Sequence, residues 1–330
     1  MTAHEQWLGL VREEILDPER EIVDPHHHLW HRPDWNYELT ELWADTGAGH
    51  HVVQTVFLEC GSNYYTDGPV HFQPVGETAY VADIAAASTR NANQATIAGI
   101  VGRADLRQEN LDEILDAHEA AGDGLFRGIR DAGARDPHPE ALMIAGRAPA
   151  GLYADPDFRR GVARLGERGY SYDTWHYHHQ NPDFYELARA VPNTTMVLDH
   201  FGTPLGVGPY ANRREEIFSR WKDDIAAIAS CPNVVAKLGG LAMPDNGFGW
   251  SERATPPSSD EFVEAQARYY HHTIECFGPE RCMFESNFPV DRLSISYTVL
   301  WNGLKKIARD YDSVAQTALF SGTARQVYKL

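Results

Sequence analysis

The run Asp24-Pro25-His26-His27-His28 packs three imidazoles and a carboxylate into five residues. Alternate side chains of a strand share a face, so His26 and His28 lie on one side with Asp24, and His27 on the other. Two imidazoles on one side of a strand tip can bind a single metal ion, whereas such a pair alone can equally be an inert histidine-rich loop. Three further segments carry acid–base groups: Trp175-His176-Tyr177-His178-His179-Gln180, Asp199-His200 just before Gly202, and Asn287-Phe288-Pro289.

These segments gain meaning from the elements that would position them. Eight short β-branched runs are expected as strands, at 21–24, 52–59, 96–105, 125–130, 169–175, 195–200, 233–238 and 281–287. Helical stretches alternate with them, the pattern of βαβ units and a parallel sheet. Helix 155–168 opens on Asp155-Pro156, a cap followed by a proline at the first turn, and helix 259–277 stops at Gly278-Pro279. Helices are also expected over 212–229 and 296–310. Eight such repeats suit a closed (β/α)₈ TIM barrel spanning 1–330, with 1–20 as an N-terminal extension. A GxGxxG after the first strand, the main cue for a dinucleotide fold, is missing. Each chemical segment named above falls at a strand end, and in a barrel such ends converge on one mouth. The Gly-, Pro- and Asn-rich stretch 244–257 is expected as a long loop over that mouth.

Composition limits the partners. Lys and Arg number 29 against 47 Asp and Glu, a formal net charge of −18, which disfavours nucleic acid and anionic membranes. A small-molecule substrate and a possible homo-oligomer remain as partners. Cys60, Cys231, Cys276 and Cys282 have no CxxC spacing and read as reduced thiols. With no signal-peptide or membrane-span pattern, a cytoplasmic location is expected.

The phrases IVDPHHHLW, GLFRGIRD, MVLDHFGTP, NVVAKLGGL and RCMFESNFPVD occur in that order from residue 22 to residue 291. Their set and spacing resemble the amidohydrolase-2 group of the amidohydrolase superfamily, TIM-barrel hydrolases that include lactonases of sugar acids and of 2-pyrone-4,6-dicarboxylate. The resemblance implies His26, His28 and His200 as metal ligands, with one divalent ion, Zn²⁺ as candidate, or a metal-free site. At the fifth strand it implies His176, with His178 in reserve. It also implies an aspartate at the eighth strand, where this chain has Asn287. A neutral amide can accept a hydrogen bond but cannot serve as a general base. Glu285, deeper on the same face, or Asp291, just past the tip, are the candidate replacements, as is a histidine acting in a metal-free site.

For substrate contacts, Arg130 resembles the family arginine that grips a carboxylate by a bidentate fork. Arg103 at the end of the third strand and Lys237 at the end of the seventh are further cations, and Trp30 and Tyr64 stand among the aromatic loop residues that suit a ring-shaped ligand. The expected activity is hydrolysis of a lactone or other cyclic ester bearing a carboxylate. The rival readings are a metal-dependent non-oxidative decarboxylase and a degenerate barrel that only binds a ligand.

Overall fold

Ile22 and Val23 are neighbours in β1 (Glu21–His27) yet enter different cores. Ile22 joins the layer between strands and helices, while Val23 points into the centre of the sheet, because successive strand side chains face opposite ways. The same division recurs in β2 (His51–Leu58), where Val56 and Leu58 turn inward and Phe57 outward. The computed structural model describes residues 2–33 and 35–330.

The remaining strands are β3 (Thr96–Gly102), β4 (Phe126–Arg130), β5 (Ser171–Thr174), β6 (Met196–Leu198), β7 (Val234–Leu238) and β8 (Cys282–Phe284). All neighbouring pairs are parallel and follow chain order. The ring closes where His28 N donates to Phe288 O at 2.8 Å and Asn287 N to His26 O at 3.0 Å. The expected (β/α)₈ barrel is therefore the observed architecture.

A helix follows each strand. After α1 (Ala3–Leu8) come α2 (Leu39–Thr46), α3 (Val75–Ser88), α4 (Leu111–Ala121), α5 (Pro156–Glu167), α6 (Asn181–Ala190), α7 (Arg214–Ala229), α8 (Ser259–Phe277) and α9 (Tyr297–Ala308). In α5 the Asp155 carboxylate accepts from Asp157 N and Phe158 N, and Phe158, Gly161, Val162 and Leu165 form the buried stripe. The short α10 (Ser313–Thr317) and α11 (Thr323–Tyr328) end the chain. From α11, Ala324 and Tyr328 pack among Val56, Val101 and Val197 and close the floor of the barrel.

The N-terminal extension packs on the outer helices, where Glu13 accepts from Ser259 N at 2.7 Å and Lys305 Nζ donates to Leu16 O at 2.9 Å. Loop 244–257 reaches over the mouth: the Asp245 carboxylate accepts from Met143 N and Ile144 N, at 2.7 and 2.9 Å, tying two loops together. All four cysteines are free thiols. Among the described residues no helix is long and apolar enough to cross a membrane.

Candidate active site

Residues β1 sends inward are set by an irregularity at its proline. Val23 faces the interior, Asp24 faces out, and the register with β2 shifts between Asp24 and His27. Past that shift His26 turns inward, while His27 faces outward beside Phe57, its Nε2 3.1 Å from Thr55 Oγ1. Asp24 thus does not share the face of His26, as strict alternation suggested. Its carboxylate instead accepts from Ser286 N at 3.0 Å and from Tyr297 OH at 2.9 Å, bracing β1 against β8.

His26, His200 and Glu285 converge below the mouth, all fully buried or nearly so. His200 Nδ1 lies 2.7 Å from Glu285 Oε1. Glu285 Oε2 is 2.8 Å from His26 Nδ1, but the contact lacks hydrogen-bond geometry and leaves this oxygen without a partner. Arg130 Nη1 stands 3.4 Å from His26 Nε2. Beneath them Lys237 Nζ donates to Asp173 Oδ2 at 3.0 Å and lies 3.4 Å from Asp199 and 3.5 Å from His26 Nδ1. Tyr328 OH reaches up from the floor to the same Asp173 oxygen.

Burial dominates the electrostatics of this cluster. It pushes Glu285 up to about 8, opposed by Lys237, and Asp199 up to about 6. It holds His26 and His28 well below the usual histidine range, helped by Lys237 beside His26 and Arg130 beside His28, and brings His200 down to about 3. All three imidazoles are therefore neutral near neutral pH. In His28 the hydrogen must sit on Nδ1, because Nδ1 contacts the Leu58 carbonyl oxygen at 2.8 Å. The Nε2 lone pair is left for the cavity.

Backbone strain gathers at the same tips. His200 (φ 55°), Phe201 (φ 59°), Thr203 (φ 40°) and Asn287 (φ 55°) all occupy the left-handed region. Each non-glycine residue there costs roughly 1 kcal/mol or more, and such costs concentrate where function fixes the backbone. Asn287 is steadied by its amide, whose Nδ2 donates to Asp291 Oδ1 at 2.8 Å.

Above the cluster opens a cavity of about 400 Å³. His28, His200, Arg130 and Asn287 face it, with Trp30, Trp35 and Trp175 on its walls. Of the residues expected at the site, these bring together His28, His200, Asn287, Arg130 and Trp30, with His26 and Glu285 directly below.

Other expectations require correction. His176 lies outside the cavity: Nε2 is 2.9 Å from Asn181 Oδ1 and Nδ1 is 3.2 Å from Tyr153 OH, within the helix layer. His178, the reserve, has its Nδ1 3.2 Å from Leu205 N. In β5 the inward residues are Ser171 and Asp173, so Trp175 inherits the inward position and His176 does not. Asp291 does not supply a base, since its two oxygens accept from Asn287 Nδ2 and Ala242 N. Arg103 pairs with Asp131 at 2.9 Å and lines a separate depression with Tyr64. Lys237 is buried under the histidines, held by carboxylates instead of facing a ligand. Arg130 reaches the cavity but is no free fork: Nε donates to Glu59 Oε1 at 2.9 Å, Nη2 donates to Glu59 O, and Asp199 lies 3.6 Å away.

A divalent cation fits the converging donors. Two imidazoles and a carboxylate place ligand atoms within 4.8 Å of one another, and this set contains Glu285 where His28 was expected. His28 has committed one nitrogen to Leu58 O and turns the other to the cavity. Charge points the same way. Glu59, Asp173, Asp199 and Glu285 meet Arg130 and Lys237, four carboxylates against two cations, leaving two negative charges. Two bound protons or one divalent cation offset that excess, and both Asp199 oxygens and Glu285 Oε2 lack hydrogen-bond partners.

Known proteins share this frame. An uncharacterized protein of Sinorhizobium fredii, y4mH, is 30% identical over 94% of this chain and 98% of its own length. An L-fucono-1,5-lactonase of Burkholderia multivorans is 28% identical, covering 93% of this chain and 96% of its own. A crystal structure of a Burkholderia multivorans amidohydrolase with bound HEPES superposes with TM-score 0.73 at 25% identity, over 94% of this chain and all of that one. A second crystal form of a Burkholderia multivorans amidohydrolase, with bound zinc, gives the same TM-score at 24% identity over 94% of this chain and all of that one. A family model described as Amidohydrolase matches residues 23–330, nearly the full chain, and with the barrel and its inward imidazoles it establishes that the protein belongs to the amidohydrolase family.

Proposed function

We propose that the protein hydrolyses a lactone or related cyclic ester. The observation that carries this reading is His28: its tautomer is fixed by Leu58 O, so a neutral Nε2 acceptor faces the cavity directly above the His26–Glu285–His200 cluster. The lactonase named among the relatives supports it.

Substrate enters between the tryptophan walls with its carbonyl toward the cluster. His28 Nε2 takes the proton of the attacking water as the new C–O bond forms. Arg130, on the cavity wall, offsets negative charge developing on the carbonyl oxygen, and Asn287, steadied by Asp291, aligns the reacting oxygen by hydrogen bonding. The ring C–O bond then breaks, and the leaving alkoxide takes the proton that His28 holds, giving a hydroxy acid. His26, His200 and Glu285 are the residues that would hold a divalent ion, which we assign as zinc and which would supply Lewis acidity toward the carbonyl. A carboxylate on the substrate finds no free partner in Arg130, which Glu59 already engages.

Acid release from δ-lactones in a pH-stat tests the reading, with CO₂ measured in parallel. Acid without CO₂ is expected, and the His26→Ala/His28→Ala double variant should keep its circular dichroism while losing turnover. Full turnover in that variant, or CO₂ from an aromatic acid, would overturn it.

A further inference from the structure

The cavity wall is poor in the groups that a polyhydroxylated ligand needs. Trp30, Trp35, Trp175, Met143, Met243 and Ile144 are among the residues that line it. Among the described lining residues there is no serine, threonine, tyrosine, aspartate or glutamine. Several polar groups that do line it are engaged with one another, while the indole N–H groups of Trp30 and Trp175 are unpaired donors and offer no acceptor. Glu59 and Arg130 bind each other, and the Cys60 thiol lies 3.4 Å from Leu29 O and 3.5 Å from Glu77 Oε1, positioned to donate to them. His28, His200 and Asn287 belong to the reacting centre. Arg32 sits at the exposed rim with its guanidinium 4.3 Å over the Trp30 ring.

A buried hydroxyl left without a partner forfeits its hydrogen bonds to water, and sites that select polyols provide those bonds one by one. A planar or hydrocarbon ring loses nothing on this wall and gains contact with its indole side chains. From this we infer that the substrate is a lactone fused to, or substituted by, an aromatic or hydrocarbon ring, and not a sugar-acid lactone. The inference rests on the hydrolytic reading above and departs from the sugar lactone named for the Burkholderia relative.

Three probes test it on the purified protein: 3,4-dihydrocoumarin as an aryl δ-lactone, and L-fucono-1,5-lactone and D-glucono-1,5-lactone as sugar δ-lactones. The expected kcat/KM for dihydrocoumarin exceeds that for either sugar lactone by at least about tenfold. Trp175→Ala should lower the dihydrocoumarin value by about tenfold, chiefly through KM, and an unchanged KM would overturn the inference. Faster turnover of a sugar lactone would overturn the inference while leaving the hydrolytic reading intact. If no lactone turns over, that reading fails, and binding still decides the substrate class. Dihydrocoumarin titrated into His28→Ala should quench tryptophan fluorescence saturably where gluconolactone does not, and the reverse order would overturn the inference.

Discussion

Two strand tips of this barrel carry histidines at the same i, i+2 spacing, His26/His28 after β1 and His176/His178 after β5, and the fold treats them oppositely. At β1 the register shift around Pro25 changes the phase of the pleat, so both histidines turn inward. At β5 the phase runs on unbroken from Ser171 and Asp173, so Trp175 lines the cavity while His176 joins Tyr153 and Phe184 in the helix layer. Spacing puts two side chains on one face; the phase of the strand decides which face is the interior.

The comparison can be broken by variants at each tip. His28→Gln should cut kcat/KM on a δ-lactone by about a thousandfold, the scale of a lost general base, while His176→Gln stays within about threefold. Equal losses at both tips would erase the distinction.

A step below, the inward phase of β5 supplies Asp173 to Lys237, whose ammonium lies 3.5 Å beneath His26 Nδ1. Asp173→Ala leaves the fully buried Lys237 ammonium facing Asp199 alone and should cost about 3–5 kcal/mol in urea unfolding. An additional Lys237→Met change should return much of that loss. A double variant as unstable as the single would show that the pair does not act as a unit.

The outward phase of His176 has its own signature. Burial lowers its pKa from 6.5 to about 4, so the unfolded chain takes up the proton first and stability falls as pH drops from 6.5 toward 4. Wild type should lose about 2 kcal/mol more than His176→Gln between about pH 7 and pH 5, read by urea melts at both. Parallel losses would place a proton acceptor elsewhere.

Smallest is the effect expected at Asp291, which acts through Asn287. Asp291→Asn should reduce kcat by about tenfold with KM little changed, and an unaffected kcat would separate it from the reacting centre.

The barrel was legible because its signals are local. Eight β-branched runs, the Asp155 cap and the Gly278 stop all act within a few residues of themselves. The β1 and β6 histidines were legible as members of ordered phrases at strand ends. What sequence could not convey was phase and partnership. The irregularity at Pro25 turned Asp24 away from His26, and β8 ends at Phe284, so the chain beyond it takes a left-handed turn at Asn287. Pairing across the barrel hid the rest. Arg130 looks free until Glu59 from β2's end reaches it, and Lys237 looks like a ligand contact until Asp173 and Tyr328 enclose it. One signal was present and unused: an aspartate in the middle of short, buried β5 requires a buried cation.

The claim on which the account turns is that Glu285 stands in the reacting centre, joining His26 to His200 in the place left by the neutral Asn287. Initial rates of δ-lactone hydrolysis by Glu285→Gln, which keeps the side chain's shape and removes its ionisable carboxyl, test this most directly. A fall of about a thousandfold with the melting temperature maintained is the predicted result. Turnover within about threefold of wild type would contradict it.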